Sequence, residues 1–369
     1  MKKIACAFAI MALFTSCGSD DTPSDETIIV PEEPEPEPEE PETPTEIVVT
    51  EYEGYQLLWN DEFNGSSLDI SKWNYETGTG INGNFGTGQL DRATNRPENV
   101  KIETGDNINP GLLNITTRKE FYVDRNYTSG RLNTKDKFSV GPGTRIEARV
   151  WARDVKYKGQ GFAFWMMPAE IPAGQDHLMW PQGGEVDIME YVGAIPYANL
   201  GTVHYAWFWQ NNEYADWNHG HKGAYYNYEQ QQMPAVNPEY GQWPTTDNNA
   251  NAGSGGYHLY RIDWYANRME FSVDGHIYHV NYFNDGEAFA NAPDGQDADG
   301  TVVVNGKNMM KSEYSHHFSE WHPFSHKFYL ILSAGVGGND NMTYGGAIVP
   351  EATFPCSTLV DYVRVYSRQ

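Results

Sequence analysis

The amino-acid sequence predicts an all-β fold, arranged as a two-sheet sandwich or jelly roll. Beyond Gly54 the 369-residue chain is rich in Gly, Tyr, Trp and Phe. Short alternating runs of apolar and polar residues recur there between turn residues, and helical periodicity is almost absent. So many short runs in one chain favour two packed β-sheets.

Ten segments carry this strand pattern. They are Gln56 to Trp59, Gly111 to Thr117, Arg145 to Val150, Gly161 to Met167, Glu185 to Tyr191, Gly201 to Trp207, Tyr257 to Trp264, Met269 to Val273, Phe328 to Ala334 and Leu359 to Tyr366. Asp274-Gly275 lies between two such runs and predicts a tight hairpin turn.

Two long polar stretches interrupt the strand pattern. Trp209 to Gly256 and Asn281 to Pro323 are rich in Gly, Asn and Asp, with scattered aromatic residues. They are too long for ordinary connections, and long loops on a rigid scaffold are usually functional or disordered. We expect two loop insertions here.

The N-terminus has the pattern of an export signal. Lys2 and Lys3 precede an apolar run that is too short to span a membrane. The run ending at Cys17 resembles a bacterial lipoprotein signal, in which Cys17 becomes the lipidated first residue; an ordinary cleaved signal peptide is the alternative. We expect residues 1–17 to be a signal and the mature protein to be exported and lipid-anchored to the outer membrane, facing the cell surface.

Residues 18–54 form a predicted tether. They contain fourteen Asp or Glu, no Lys or Arg, and a repeating Pro-Glu pattern, so they cannot bury a core and should stay extended. The formal net charge of −25 is therefore partly that of the tether. The predicted folded domain, residues 55–369, is still acidic and shows no basic patch, which argues against a nucleic-acid partner.

Cysteine usage predicts a domain without an internal disulfide. Cys6 lies within the signal and Cys17 at its end, which leaves Cys356 alone in the predicted domain. The domain must therefore be stabilised by its core, and its length is sufficient for one large core.

Three carboxylates occupy a stretch that otherwise has the pattern of a buried strand. In a regular strand Glu185 and Asp187 share one face, and Glu190 points to the other. A β-bulge that adds one residue between Asp187 and Glu190, with Met189 filling it, brings all three acids to one face. An exposed edge strand is the alternative, but the apolar Val186 and Ile188 favour a buried opposite face.

Retaining glycoside hydrolysis is one use for such crowded acids. That reaction needs two carboxyl groups about 5–5.5 Å apart, one as nucleophile and one as general acid and then base. Two glutamates separated by roughly 13 Å of strand can lean together across much of that gap. The motif therefore predicts a pair of catalytic carboxyl groups.

Further motifs make the chain resemble the laminarinase-like branch of glycoside hydrolase family 16 from Tyr55 to Tyr366. Those motifs are Trp59-Asn60-Asp61-Glu62-Phe63, Asn95-Arg96-Pro97-Glu98-Asn99-Val100, Ala163-Phe164-Trp165-Met166, Trp180-Pro181-Gln182-Gly183-Gly184-Glu185-Val186-Asp187-Ile188-Met189-Glu190, Thr202-Val203-His204-Tyr205, Val273-Asp274-Gly275, Ala334-Gly335-Val336-Gly337-Gly338-Asn339 and Val360-Asp361-Tyr362-Val363-Arg364-Val365-Tyr366. The central acidic motif is the specific one, and the others add to it.

The resemblance implies a concanavalin A-like β-jelly-roll sandwich whose concave sheet forms an open substrate cleft. It also implies catalytic roles: Glu185 as nucleophile, Glu190 as acid/base, and Asp187 as the residue that hydrogen-bonds the nucleophile. No catalytic cofactor is implied, and the expected partner is a polysaccharide bound by a monomer.

Several residues are candidates for sugar binding. Trp180 is the best stacking candidate and Trp165 the next, although Trp165 also fits a core position. By the resemblance His204 lies near the cleft, where it either contacts substrate or is structural. Trp207 and Trp209 lie where the first long stretch opens and can line the cleft.

The same resemblance implies an optional structural calcium site on the convex side. Glu62, the backbone near Gly105 and Asp361 occupy the matching positions, and oxygen ligands suit calcium.

The substrate is less determined than the reaction. Glucan-active relatives carry an Asn-Asn-Glu stretch where this chain reads Gly86 to Arg92, which changes the polar groups of one subsite. We expect an endo-β-1,3-glucanase or β-1,3-1,4-glucanase. The alternative is an endo-β-galactanase, in which Arg92 binds an anionic substituent unless it forms a surface salt bridge. A non-catalytic carbohydrate-binding module has no need for the three acids.

Overall fold

The computed structural model describes residues 49–105, 110–170, 180–181, 183–206, 209–210, 213–214, 219–228, 253–282, 301–304, 307–310, 323–338 and 345–369. These residues form β-strands joined by turns, with two three-residue 3₁₀ turns at Ile81–Gly83 and Pro323–Ser325. The predicted all-β sandwich is confirmed.

The strands of the described residues are numbered in chain order. They are β1 Tyr55–Asp61, β2 Asn74–Tyr75, β3 Asp91–Ala93, β4 Val100–Thr104, β5 Gly111–Tyr122, β6 Arg125–Ser129, β7 Arg131–Asn133, β8 Thr144–Trp151, β9 Gln160–Pro168, β10 Glu185–Val192, β11 Ala198–Ala206, β12 Trp209–Gln210, β13 Glu213–Tyr214, β14 His219–Asn227, β15 His258–Trp264, β16 Arg268–Val273, β17 His276–Tyr282, β18 Thr301–Val304, β19 Lys307–Met310, β20 Phe328–Val336 and β21 Cys356–Arg368.

The larger sheet contains twelve of the described strands. Its main path runs β18-β19-β17-β16-β15-β8-β21-β5-β6-β3, with β1 paired to β21 and β4 paired to β5. In β8 the apolar Ile146, Ala148 and Val150 are fully buried in the core, whereas Arg145 and Arg149 alternate with them on the other face. The two-residue period of a strand explains this division.

The smaller sheet contains seven of the described strands in the order β14-β11-β10-β9-β20-β7-β2. The two sheets share one apolar core, to which β9 contributes Phe162 and Phe164 and β16 contributes Met269 and Phe271. The acidic motif forms β10, near the middle of the seven-stranded sheet. Its neighbours β9 and β11 run antiparallel to it.

All ten predicted strands are present, and most extend by a few residues beyond the predicted limits. The predicted hairpin at Asp274-Gly275 is also confirmed, since β16 and β17 pair across it. Both turn residues have positive φ, 51° and 82°, which is the backbone twist that joins two antiparallel strands tightly.

The prediction of two long loop insertions was wrong for the parts that the structure describes. The stretch from Trp209 to Gly256 contains β12, β13 and β14, and β14 pairs with β11 along its whole length. The stretch from Asn281 to Pro323 contains β18 and β19. Backbone pairing forms β14 here although its sequence contains two glycines and several polar residues.

Ordered structure begins a few residues before the predicted domain boundary. Tyr52 falls within the predicted tether, yet its hydroxyl donates to a Glu147 carboxylate oxygen at 3.1 Å, so the tether cannot extend to residue 54. The signal, Cys17 and tether residues 18–48 lie outside the described residues. Cys356 is buried with a free thiol, and the described part contains no helix long and apolar enough to cross a bilayer.

Candidate active site

The acidic motif forms a bulged strand. Against β9, Asp187 lies opposite Trp165 and Met189 opposite Phe164, so that Ile188 has no partner. Against β11, the register shifts between Asp187 and Glu190. The predicted bulge is confirmed, but the extra residue is Ile188 rather than Met189.

The bulge places the three acids on one face of the sheet. Asp187 and Glu190 lie opposite Thr202 and Leu200 of β11, which are two residues apart and therefore face the same way. Val186, Ile188 and Met189 are buried in the core. We call Glu185, Asp187 and Glu190 the acid cluster.

His204 of β11 closes one side of the acid cluster. Its Cα lies opposite that of Glu185, and its Nε2 is 3.1 Å from Asp187 Oδ2. The residue is only 8% exposed. The structure therefore brings His204 to the predicted catalytic residues, with a carboxylate as its partner.

Trp180 lies at the surface of the site. Its indole Nε1 donates a hydrogen bond to Glu185 Oε2, and its ring centroid is 6.4 Å from that of His204. The side chain is 49% exposed. An exposed aromatic face beside a carboxylate is suitable for stacking on a sugar ring.

Trp165 lies on the same face as Asp187. It is half-buried, and its Nε1 donates to Ser333 Oγ at 3.0 Å. The guanidinium of Arg131 lies 4.8 Å from the Trp165 ring and 5.0 Å from the Phe85 ring. Trp165 is thus part of a stack beside the acids rather than a core residue.

The electrostatics of the cluster separate its two glutamates. Burial and the Asp187 charge raise the pKa of Glu185 to about 7, while His204 and the Trp180 hydrogen bond oppose that rise. Burial, Asp187 and Glu185 raise the pKa of Glu190 to about 8, while His204 opposes that rise. Because the groups interact, these pKa values describe the cluster. The Trp180 hydrogen bond, which favours an ionised carboxylate, is made to Glu185.

Sequence reasoning did not identify Arg131, Phe85 or Glu76. Arg131 occupies the three-residue strand β7 and forms an ion pair with Glu76 at 2.9 Å. Strands this short have no detectable periodicity. The stack on Trp165 depends on tertiary contacts that no local motif marks.

Arg92 lies in β3 of the twelve-stranded sheet and pairs with Asp124. Its Nε donates to Asp124 Oδ1 at 2.7 Å, which is the surface salt bridge that the sequence left open as the alternative. Trp207 lies outside the described residues.

The predicted calcium ligands are engaged by arginines. Both carboxylate oxygens of Glu62 accept hydrogen bonds of 2.8 Å from Arg364, and Asp361 forms an ion pair with Arg149. Gly105 offers backbone atoms only, and its N–H donates to Pro110. Carboxylates that already neutralise arginines do not fit a calcium site as arranged.

Several known proteins are similar to this chain in sequence and in fold. The model of glycosyl hydrolases family 16 matches residues 92–297. A β-glucanase of Rhodothermus marinus is 31% identical over 315 residues, 85% of each chain. A glucan endo-1,3-β-glucosidase A1 of Niallia circulans is 32% identical over 337 residues, which cover 89% of this chain and 39% of that longer protein.

A solved structure agrees with both sequence matches. The laminarinase catalytic domain of Thermotoga maritima superposes with a TM-score of 0.59 and 29% identity, covering 86% of this chain and 100% of that domain. The family match spans more than half of the chain, and it contains the bulged acidic strand. The chain therefore belongs to family 16 of the glycosyl hydrolases.

Proposed function

We propose that this protein is an endo-β-1,3-glucanase that hydrolyses its substrate with retention of configuration. The observation that carries this proposal is the bulged strand β10, which turns Glu185, Asp187 and Glu190 to one face beside the Trp180 donor. Two carboxyl groups on one face, with pKa values raised toward neutrality, are what the double-displacement reaction requires.

The environments of the two glutamates assign their roles. Glu185 accepts a hydrogen bond from Trp180 that stabilises its ionised form, so it acts as the nucleophile. It attacks the anomeric carbon while Glu190 gives its proton to the leaving oxygen. Glu190 then removes a proton from water, which attacks the glycosyl carbon and releases Glu185.

Asp187 connects the nucleophile to the rest of the site. It lies beside Glu185 on the same face of β10, and its charge acts on that carboxyl group. Its other contact is the His204 imidazole. Asp187 thus orients Glu185, and its negative charge raises the pKa of both glutamates.

The described residues around the acids favour a neutral glucan. Arg131 is neutralised by Glu76 and held between two rings, and Arg92 is paired with Asp124. Neither guanidinium is positioned to bind a sulfate on the sugar. The argument for an anionic galactan, which rested on Arg92, therefore loses its support. Trp180 and Trp165 offer the aromatic faces on which the sugar rings of a glucan chain can stack.

A substrate panel tests this proposal. The purified protein is incubated with laminarin, lichenan, agarose, porphyran and mucin glycans, and reducing ends and product sizes are followed. We expect oligosaccharides of intermediate length from laminarin, with lichenan as the next best substrate. Products from agarose or porphyran alone would establish the galactanase alternative instead.

We further propose that the chain is exported and anchored to the outer membrane through a lipid on Cys17. Lys2, Lys3 and the apolar run that follows them support export, and the acidic tether supports display at a distance from the membrane. Labelling with a fatty-acid analogue tests this: the label should be lost in Cys17→Ala. Unlabelled parent protein in the medium would contradict the anchor.

Calcium bound at Glu62, Gly105 and Asp361 stays a prediction that the observed arginine pairs do not favour. Family 16 chemistry itself needs no catalytic cofactor.

A further inference from the structure

His204 lies where one side chain can influence all three acids. It extends from β11 toward β10, with its Cα opposite Glu185 and its Nε2 3.1 Å from Asp187 Oδ2. On its own strand the nearest residue on that face is the buried Thr202. This contact with Asp187 distinguishes His204 from a residue that only touches substrate.

The groups that face His204 are mostly acids. Strand β10 presents Glu185, Asp187 and Glu190, and the segment before it presents the Trp180 ring at 6.4 Å. On the other side, β14 pairs its backbone with that of His204 at His221. Burial alone would lower the pKa of His204, but the contact with Asp187 and the charges of the three carboxylates outweigh burial and raise that pKa to about 9.

The charge balance of the cluster follows from that ionisation state. With an imidazolium at His204, an ionised Asp187 adds no net charge, and Glu185 can ionise as the single uncompensated anion while Glu190 keeps its proton. Without the imidazolium, ionising Glu185 would place two uncompensated anions together. That is unfavourable at short range in a partly desolvated site.

We propose that His204 is a positioning residue that acts through Asp187: its imidazolium orients the Asp187 carboxylate and balances its charge, which allows Glu185 to act as nucleophile beside a protonated Glu190. The proposal rests on the proposed retaining mechanism. It assigns His204 a role in charge balance, which differs from both roles that the sequence left open, substrate contact and structural support.

Two substitutions separate charge from hydrogen bonding. His204→Gln keeps an N–H near the Nε2 position and removes the charge, whereas His204→Leu removes both. His258→Asn is the matched control, because His258 also pairs with a carboxylate, Asp274, at 2.7 Å, but on the twelve-stranded sheet. Each variant is assayed on laminarin for kcat and KM from pH 5 to 10, with its unfolding curve.

We expect His204→Gln to lower kcat roughly tenfold near pH 7, to leave KM nearly unchanged and to move both limbs of the pH profile upward by about 1 unit. His204→Leu should show the same shift with a larger loss, and His258→Asn should leave both limbs in place. A uniform loss at every pH, or a raised KM with unchanged kcat, would overturn the proposal.

An NMR titration tests the proposal without relying on activity. The His204 imidazole is titrated in the parent and in Asp187→Asn, and its pKa should fall by about 1 unit or more when the carboxylate is removed. An unchanged pKa would contradict the Asp187 contact. A parent that titrates as expected yet hydrolyses no glycan would instead contradict the proposed function.

Discussion

The buried acids of the two sheets have different partners. On or beside the twelve-stranded sheet, four buried acids each pair with an arginine, in the pairs Glu62 with Arg364, Glu147 with Arg261, Asp263 with Arg145 and Asp361 with Arg149. The buried Asp91 of β3 instead accepts hydrogen bonds from Ser129 and from the Val336 amide. On the seven-stranded sheet, three acids face one another and one histidine. The four arginine pairs balance the charges of their acids, whereas the three acids of the seven-stranded sheet repel one another.

This difference separates structural acids from functional ones. The charge of a buried carboxylate is balanced where it has its own guanidinium partner. The acid cluster lacks such partners, and the pKa values of Glu185 and Glu190 rise to about 7 and about 8. Perturbed carboxyl groups of this kind concentrate at catalytic sites.

The largest expected effect is that of Glu185→Gln on activity. The substitution keeps the shape of the side chain and removes the nucleophile, so kcat on laminarin should fall by about 10³-fold or more. Stability should be unchanged or higher, because a charge repulsion is removed. If Glu185→Gln hydrolysed laminarin at the parental rate, the acids of the seven-stranded sheet would not be the catalytic ones.

Glu147→Gln is the matched change on the other sheet. It leaves Arg261 buried without its full counter-charge, so the free energy of unfolding should fall by about 3–5 kcal/mol. Urea unfolding measures this loss, and kcat below the transition should stay near that of the parent. A variant with full stability and reduced kcat would show that the twelve-stranded sheet also serves catalysis.

The pH profile of kcat/KM should reflect the coupled glutamates. Activity requires Glu185 ionised and Glu190 protonated, so it should rise as pH increases through about 7 and fall as pH increases through about 8. Initial rates on laminarin from pH 5 to 10 give both limbs. A profile that is flat across this range would remove the electrostatic basis for the two roles.

Chelation should have the smallest effect. Because arginines already bind Glu62 and Asp361, EDTA should leave the melting temperature unchanged, and added calcium should not raise it. A calcium-dependent rise in the melting temperature would show that these carboxylates exchange arginine for the ion.

Most of the fold was predictable because it depends on local alternation. Strand β8 carries the two-residue pattern over enough residues to be recognised, and β10 and β20 are apolar-rich runs bounded by turn residues. Strand β14 was missed because Lys222 and Gly223 interrupt its pattern and its pairing with β11 is set by backbone hydrogen bonds. Strands as short as β7 are determined by their neighbours.

The same division holds for the site. The odd spacing of Glu185, Asp187 and Glu190 predicted the bulge, since only an inserted residue places all three on one face. The partner of His204 and the stack of Arg131 on Trp165 depend on which strands lie side by side. Neighbouring motifs along the chain do not contain that information.

The stereochemistry of the first product tests the central claim most directly. Proton NMR of laminarin hydrolysis records the anomer released before mutarotation. If Glu185 is the nucleophile and Glu190 the acid/base on one bulged strand, the β-anomer should appear first and the α-anomer should follow as mutarotation proceeds. Initial release of the α-anomer would show inversion and contradict the assignment of Glu185 as a nucleophile.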